Sequence, residues 1–154
     1  MKAIAVTRVK KTEIIEFPKP TPGPYELLIR MRATSLCTVE QRTFLGIKKP
    51  GFPFIGGHEG FGEVVAVGEK VHNFIVGDPV VFNLVYCGQC NACKTGNSTQ
   101  CQNLSYSNPP FAFDGAVIGG ALAQYMVVPY VNAYKVPPKT KPEHAALTEP
   151  IACC

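Results

Sequence analysis

The chain has 154 residues, 46% of them hydrophobic and 17% charged, which suits one globular domain with a sizeable core and argues against disorder. The net charge of +4 is modest, and the lysine pairs at 10–11 and 48–49 are isolated, so no basic stripe indicates a nucleic-acid partner. No apolar run approaches the roughly 20 residues of a membrane-spanning helix, and no signal-peptide core begins the chain. We therefore expect neither a membrane partner nor secretion.

Frequent glycine and proline between short apolar stretches predict a chain of short strands. Strands are expected at 2–6, 13–17, 27–33, 61–67, 79–85, 122–128 and 133–136. Helical turns are expected at 38–44 and from Pro142 onward. Residues 50–57 are interpreted as a loop that leads to His58. Residues 86–110 show almost no apolar periodicity, so they are interpreted as a long loop that is held in place by something other than hydrophobic packing.

This pattern predicts a mainly β fold, a Greek-key or partly open barrel with helices only at its edges. A doubly wound sheet would need strands that alternate with long amphipathic helices, and the sequence lacks them.

Seven cysteines would suit a secreted disulfide scaffold only if the core were too small to be stable alone. Their odd number and their C-x-x-C spacing favour metal thiolates in a reducing compartment, so we expect a cytoplasmic protein. Four thiolates can close a tetrahedral shell around zinc, which would be structural because it leaves no position for substrate. The four cysteines in question are Cys87, Cys90, Cys93 and Cys101. The alternatives to zinc for these four residues are disulfides and an iron–sulfur cluster.

A second candidate site combines Cys37, at the predicted end of a strand, with His58 and Glu59. Glycines flank the His-Glu pair, so the backbone could approach an ion closely. Cys37, His58 and one further ligand would make a zinc site with an open fourth position, the arrangement found in catalytic zinc sites. Near the end of the sequence, Glu149 and Cys153 are further candidate ligands.

With these residues in view, the chain resembles the zinc-dependent medium-chain alcohol and polyol dehydrogenases, specifically their GroES-like N-terminal catalytic domain. The resemblance runs along essentially all of residues 1–154. It is carried by Gly57-His58-Glu59-x2-Gly62-x5-Gly68-x2-Val71, Gly77-Asp78, the cysteine cluster and Ala145-Ala146-Leu147-Thr148-Glu149-Pro150. It implies a GroES-like, partly open β-barrel with short peripheral helices and a zinc-bound lobe at 86–110.

The resemblance also implies a catalytic zinc on Cys37 and His58, with Glu59 beside it, and a structural zinc on the four clustered cysteines. The third catalytic ligand is open. Polyol dehydrogenases with Glu-Pro use the glutamate, which corresponds to Glu149, whereas yeast-type alcohol dehydrogenases use a cysteine that corresponds to Cys153. We favour Glu149. The family commonly has a proton-relaying Ser or Thr where this chain has Val39.

Family members hold NAD or NADP on a Rossmann domain, and no dinucleotide fingerprint occurs in this chain. Gly60-Phe61-Gly62 lies inside a predicted strand and has Val65 where a third glycine is needed. We therefore expect a portion of a longer, homo-oligomeric (dimeric or tetrameric) enzyme for NAD(P)-linked oxidation of an alcohol, polyol or related hydroxy compound, and an inactive isolated fragment. The alternative is a non-catalytic zinc-binding GroES-like assembly module. Zinc-free quinone reduction on the same fold would not need Cys37, His58 and the cluster together.

Overall fold

Short strands make up most of the regular structure, which confirms the mainly β prediction. The computed structural model describes residues 1–48, 51–83, 86, 88–102, 111–113, 116–118 and 120–154. The strands are β1 (Lys2–Arg8), β2 (Lys11–Glu16), β3 (Glu26–Thr34), β4 (Phe54–Ile55), β5 (Gly60–Val67), β6 (Pro79–Phe82), β7 (Phe111–Phe113), β8 (Ala116–Ile118), β9 (Tyr125–Pro129) and β10 (Ala133–Lys135). The helices are α1 (Thr38–Phe44), α2 (Asn91–Lys94), α3 (Pro142–Ala145) and α4 (Thr148–Ala152), with 3-10 turns at Ser98–Gln100 and Tyr130–Asn132.

Two open five-stranded sheets are formed by the described strands. One has the order β2-β1-β4-β8-β7 and the other β10-β6-β5-β3-β9. Their neighbouring strands run antiparallel except β4 and β8, which are parallel. Within the described segments, no helix has both the length and the apolar character that crossing a bilayer requires.

The main core lies on one face of the second sheet. Leu27 and Ile29 of β3 and Val64 of β5 are completely buried. Leu28 is buried as well, so the predicted alternation does not hold in the first half of β3. Each such side chain stabilises the fold by about 1.5–3 kcal/mol through burial of apolar surface. The same cluster includes Val80, Phe82, Met126 and Val128, so β5, β6 and β9 meet β3 there.

An irregular segment, residues 121–124, joins the two sheets. The Gln124 N–H donates to the Lys2 carbonyl at 2.9 Å, while the Gln124 carbonyl accepts the Met31 N–H at 3.0 Å. The same segment donates from Ala121 to the Gly57 carbonyl at 2.8 Å. The barrel is therefore only partly closed, and this junction also fixes the backbone immediately before His58.

Several predicted boundaries were wrong, and the reasons are tertiary. The strand expected from residue 122 begins at Tyr125, because the preceding residues bond to both sheets instead of continuing one ladder. The loop expected at 50–57 contains β4, whose two residues are too few to show a period. The expected strand at 79–85 is β6, which ends at Phe82, and residues 84 and 85 lie outside the described part of the chain.

Candidate metal centres

The first candidate centre begins at Cys37, which immediately precedes α1. Its backbone is extended, with φ −80° and ψ 163°, and its N–H donates to Oε2 of Glu40 at 3.1 Å. A glutamate at the third helical position commonly caps the residue that precedes a helix in this way. The bond fixes the backbone of the half-buried Cys37, three residues after the end of β3.

His58 reaches the same place from the turn between β4 and β5. Gly57 has φ +100°, and a Cβ there would lie 2.9 Å from the Leu122 backbone nitrogen, so only glycine fits. His58 is buried, and its Nδ1 lies 3.3 Å from Oε1 of Glu40. Because Nδ1 is engaged by this carboxylate, a metal held by His58 would bind through Nε2.

Glu40 is a residue of the candidate site that the sequence analysis did not single out. Its carboxylate is 8% exposed and accepts the backbone N–H of Cys37 through one oxygen and that of Gly57, at 2.9 Å, through the other. It also contacts His58, so one side chain ties together the two residues expected to bind zinc. The spacing Cys-x-x-Glu at the start of a predicted helix was the available signal, since it matches a capping box.

The electrostatics of this pair are those of a buried ion pair. Burial by itself lowers the pKa of His58, but the hydrogen bond and charge of Glu40, with a further contribution from Cys37, outweigh it and raise the pKa to about 9. Burial acts to raise the pKa of Glu40, yet the bonds from His58 and the Gly57 N–H hold it below its ordinary value. A metal that binds His58 must therefore displace a proton.

Glu59 is buried beside His58, with its Oε1 3.8 Å from Nε2 of His58. The end of β3 holds it in place. The Glu59 carbonyl accepts the Ser35 N–H at 3.0 Å and the Thr34 hydroxyl at 2.8 Å. The Ser35 hydroxyl donates to Oε2 of the Glu59 carboxylate. Both the backbone and the side chain of Glu59 are thus positioned by Thr34, the last residue of β3, and by Ser35, which follows it.

Helix α4 brings Glu149 to the centre. Ligand atoms of His58, Glu59 and Glu149 lie within 4.8 Å of one another, as do those of Cys37, Glu40 and His58. These two groups share His58 and combine sulfur, nitrogen and oxygen donors. Zinc takes all three donor types, so the residues present fit a zinc ion.

Cys153, the rival for the third ligand, follows one helical turn after Glu149. Its Sγ lies 3.7 Å from Oε1 of Glu149, and the thiol is exposed. The charge of Glu149 raises the pKa of Cys153, which disfavours the thiolate that a metal needs. The Cys154 thiol points to the carbonyl of Pro150 at 3.4 Å.

The second candidate centre is the cysteine lobe. Sγ of Cys90 lies 3.4 Å from Sγ of Cys93 and 4.0 Å from Sγ of Cys101. Two thiolates on a tetrahedral zinc, with Zn–S bonds of about 2.3 Å, are roughly 3.8 Å apart, so the spacing fits this ion. Cys87, the fourth predicted ligand, lies outside the described residues. No disulfide joins any two of the six cysteines in the described ranges.

The chain enters this lobe across the 3-10 turn at Tyr130–Asn132. The Asn132 carbonyl accepts the Asn83 N–H at 3.0 Å, and the Asn132 side-chain amide donates to the Tyr86 carbonyl. The Tyr86 hydroxyl in turn donates to the Val131 carbonyl at 3.2 Å. Asn132 is 1% exposed, so this anchor at the base of the lobe is shielded from water.

The glycines Gly60 and Gly62 belong to β5 and serve packing. A Cβ on Gly62 would lie 2.5 Å from the Arg30 carbonyl oxygen, and a Cβ on Gly60 would lie 2.6 Å from the Phe82 ring. Their place inside a strand agrees with the expectation that they are not a dinucleotide fingerprint.

Two open sheets with two clusters of metal-ligand side chains define a mostly β domain with candidate metal centres. A family model for the alcohol dehydrogenase GroES-like domain matches residues 23–138. The chain therefore belongs to the alcohol dehydrogenase GroES-like domain family, as the sequence motifs predicted.

Individual relatives agree with this family. L-threonine 3-dehydrogenase from Pyrococcus furiosus is 38% identical over 160 residues, which cover 97% of this chain and 43% of that protein. The cobalt- and zinc-bound structure of a thermostable alcohol dehydrogenase from Pyrobaculum aerophilum has a TM-score of 0.75 at 32% identity, covering 96% of this chain and 44% of that one. An alcohol dehydrogenase from Escherichia coli CFT073 complexed with NADH has a TM-score of 0.76 at 32% identity, covering 97% and 42%. The chain thus spans less than half the length of these relatives.

Proposed function

We propose that residues 1–154 form the zinc-binding catalytic domain of a longer dehydrogenase that oxidises an alcohol, polyol or related hydroxy compound with NAD or NADP. The observation that carries the proposal is that two groups of potential ligands share His58 where β3 ends and β5 begins: one adds Cys37 and Glu40, and the other adds Glu59 and Glu149. The cluster retains access to solvent, since Cys37 and Glu149 are only partly buried. Family membership and the metal- and NADH-bound relatives support the same assignment.

In this proposal Cys37, His58 and Glu149 hold the catalytic zinc. Zinc bound there would act as a Lewis acid that polarises the hydroxyl oxygen of the substrate. Glu40 orients His58 so that Nε2 faces the metal. Cys153 remains a thiol, because the neighbouring Glu149 carboxylate opposes its ionisation.

A proton relay on α1 would have to begin one position earlier than the family pattern expects. Val39 supplies no hydroxyl, and in the first turn of α1 the only hydroxyl is that of Thr38. Its Oγ1 lies 3.8 Å from Sγ of Cys37, and the side chain is exposed.

The cysteine lobe has a structural role in this proposal. A zinc held by Cys87, Cys90, Cys93 and Cys101 has four protein ligands and no position for substrate. Helix α2 has four residues, none of them buried, so metal binding would supply the free energy that orders the lobe.

The nicotinamide cofactor is assigned to the remainder of a full-length protein. The relatives are more than twice as long as this chain, and the Escherichia coli alcohol dehydrogenase is complexed with NADH. Hydride transfer requires the nicotinamide to be held against the reacting carbon of the substrate. Residues 1–154 alone should therefore bind zinc without oxidising alcohols.

Metal content and turnover of the full-length protein test the proposal together. We expect two zinc ions per chain and reduction of NAD or NADP with a panel of alcohols and polyols. Cys37→Ala and His58→Ala should abolish turnover and leave one zinc, whereas Cys154→Ala should change neither. A wild-type protein with one zinc and no turnover would instead support the non-catalytic assembly module.

A further inference from the structure

A cavity of about 580 Å³ lies between helix α1 and the sheet that contains β1. Cys37 and Glu40, two members of the ligand group that also contains His58, form part of its wall. Binding sites for small molecules commonly have volumes of about 300–1,000 Å³. The space beside Cys37 is therefore large enough for the remainder of a substrate whose hydroxyl oxygen binds the metal.

The floor of the cavity is one face of the sheet. Val6 of β1 pairs with Phe54 of β4, and both line the cavity. Ile4 lies on the same face as Val6, because side chains alternate along a strand, and it lines the cavity while 47% exposed. The opposite face of β1 carries Ala3 and Ala5, which are buried. Strand β1 thus places its larger apolar side chains on the cavity and its alanines in the core.

Helix α1 covers this floor. Thr38, Gln41 and Phe44 are spaced three residues apart, so they lie along one side of the helix, and all three line the cavity. The Lys10 N–H donates to the Phe44 carbonyl at 2.7 Å. This hydrogen bond ties the turn between β1 and β2 to the end of α1, which holds the helix over the sheet.

The walls of the cavity are mostly apolar. Cys37 aside, its half-buried side chains are Val6, Phe44, Phe54 and Leu122. Glu40 is the only charged residue among the described ones that line it, and its oxygens already accept the N–H groups of Cys37 and Gly57. A polyol would lose hydrogen bonds to water against such walls, and burying a hydroxyl without a partner is unfavourable. An apolar chain loses nothing there and gains from leaving water.

We propose that this cavity binds an apolar chain of the substrate, so that the dehydrogenase uses aliphatic alcohols in preference to polyols or hydroxy amino acids. The inference rests on the proposed function, because it needs an alcohol held at a zinc on Cys37 and His58. It assigns the choice of substrate to Val6, Thr12 and Phe54 of β1, β2 and β4, three strands that contain none of the candidate zinc ligands.

Steady-state turnover by the full-length protein tests the inference with a series of primary alcohols. We expect kcat/KM to rise from ethanol to 1-hexanol by about fourfold for each added methylene, the factor that corresponds to burial of one CH2 group. Sorbitol is the matched substrate, because it has the same carbon chain as 1-hexanol with a hydroxyl on every carbon. Its kcat/KM should be lower than that of 1-hexanol by roughly a hundredfold or more.

Variants of the floor locate the effect. Val6→Phe should lower the ratio of kcat/KM for 1-hexanol to that for ethanol by about tenfold, since the added ring takes the space of roughly two methylenes. Thr12→Phe should lower the same ratio, and it changes an exposed side chain of the cavity without altering the core. Val76→Phe is the matched control, because Val76 is 63% exposed between β5 and β6, away from the cavity, and the ratio should stay at the wild-type value.

A flat dependence on chain length, or turnover of sorbitol or L-threonine above that of 1-hexanol, would overturn the inference and leave the dehydrogenase assignment intact. An unchanged ratio in folded, zinc-loaded Val6→Phe and Thr12→Phe would also overturn it. The wild-type series needs no variant to fold. If wild type reduced neither NAD nor NADP with any alcohol, polyol or amino acid of the panel, the proposed function itself would fall.

Discussion

The Glu40 carboxylate and the His58 imidazole form a buried contact of 3.3 Å between Oε1 and Nδ1. The same carboxylate accepts hydrogen bonds from the backbone N–H groups of Cys37 and Gly57. These two residues belong to the two segments that carry the expected zinc ligands. A single side chain therefore both orients the His58 ring and links the two segments.

Glu40→Gln should weaken zinc binding at the catalytic centre by about 10–100-fold, because the amide neither balances the imidazole charge nor accepts as strongly. A competition titration with a chromophoric chelator measures this affinity. Glu63→Gln is the matched control, since Glu63 pairs with Arg30 and Arg32 at a partly exposed site. Equal zinc affinity in Glu40→Gln and wild type would contradict the orienting role.

The third catalytic ligand can be decided by comparing Glu149→Ala with Cys153→Ala. We expect the first variant to lose catalytic zinc and the second to keep it, because Glu149 disfavours ionisation of the exposed Cys153 thiol. The two variants are distinguished by the number of zinc ions per chain after dialysis, because the cysteine lobe should keep its zinc in both. Loss of zinc in Cys153→Ala alone would move the assignment to that cysteine.

Asn132→Ala should release zinc from the cysteine lobe faster than wild type while the catalytic zinc is retained. The variant removes the side-chain bond to the Tyr86 carbonyl, which leaves a partly buried acceptor without this donor at a cost of about 1 kcal/mol. Hydrogen exchange should show lost protection in 88–102 and little change in 26–34. Asn97→Ala is a matched control, because Asn97 lies within the lobe and its side chain makes no capping hydrogen bond to the 3-10 turn that follows it. Uniform loss of protection would show that Asn132 acts on the whole fold.

The Asp78–Lys135 pair should make the free energy of unfolding depend on pH in the acid range. Burial acts to raise the pKa of Asp78, but the Lys135 ammonium at 2.7 Å and the Ile75 N–H lower it overall. A carboxyl with a lowered folded-state pKa contributes stability that is present above its ordinary value near 3.8 and is lost as pH falls through the folded value. Asp78→Asn should therefore destabilise the protein by about 1 kcal/mol at pH 7 and by less at low pH.

Urea unfolding of metal-free wild type and Asp78→Asn at a series of pH values measures this difference. Glu13→Gln is the control, because Glu13 pairs with Lys11 on the surface and should contribute little. A difference between Asp78→Asn and wild type that stays constant down to acid pH would contradict the linkage.

The sequence determined the strand content and most of the donor residues. Alternation of Leu27, Ile29 and Met31 marks a half-buried strand because side chains alternate between the faces of a sheet. The two-residue gaps between cysteines predicted the metal-binding lobe, because one tight loop can deliver several thiols to one ion. These properties depend on residues close together in the chain, so a pattern along the sequence can carry them.

Only the tertiary structure decided which groups meet. The contact of Glu40 with His58 and that of Ser35 with Glu59 join residues 18 and 24 positions apart, and β4 exists because Phe54 pairs with Val6 on one side and Val117 on the other. Residues 122–124 were predicted to be part of a strand but bond to both sheets, so their conformation depends on partners distant in the chain. No local period encodes such contacts, because they depend on how segments distant in the chain pack together.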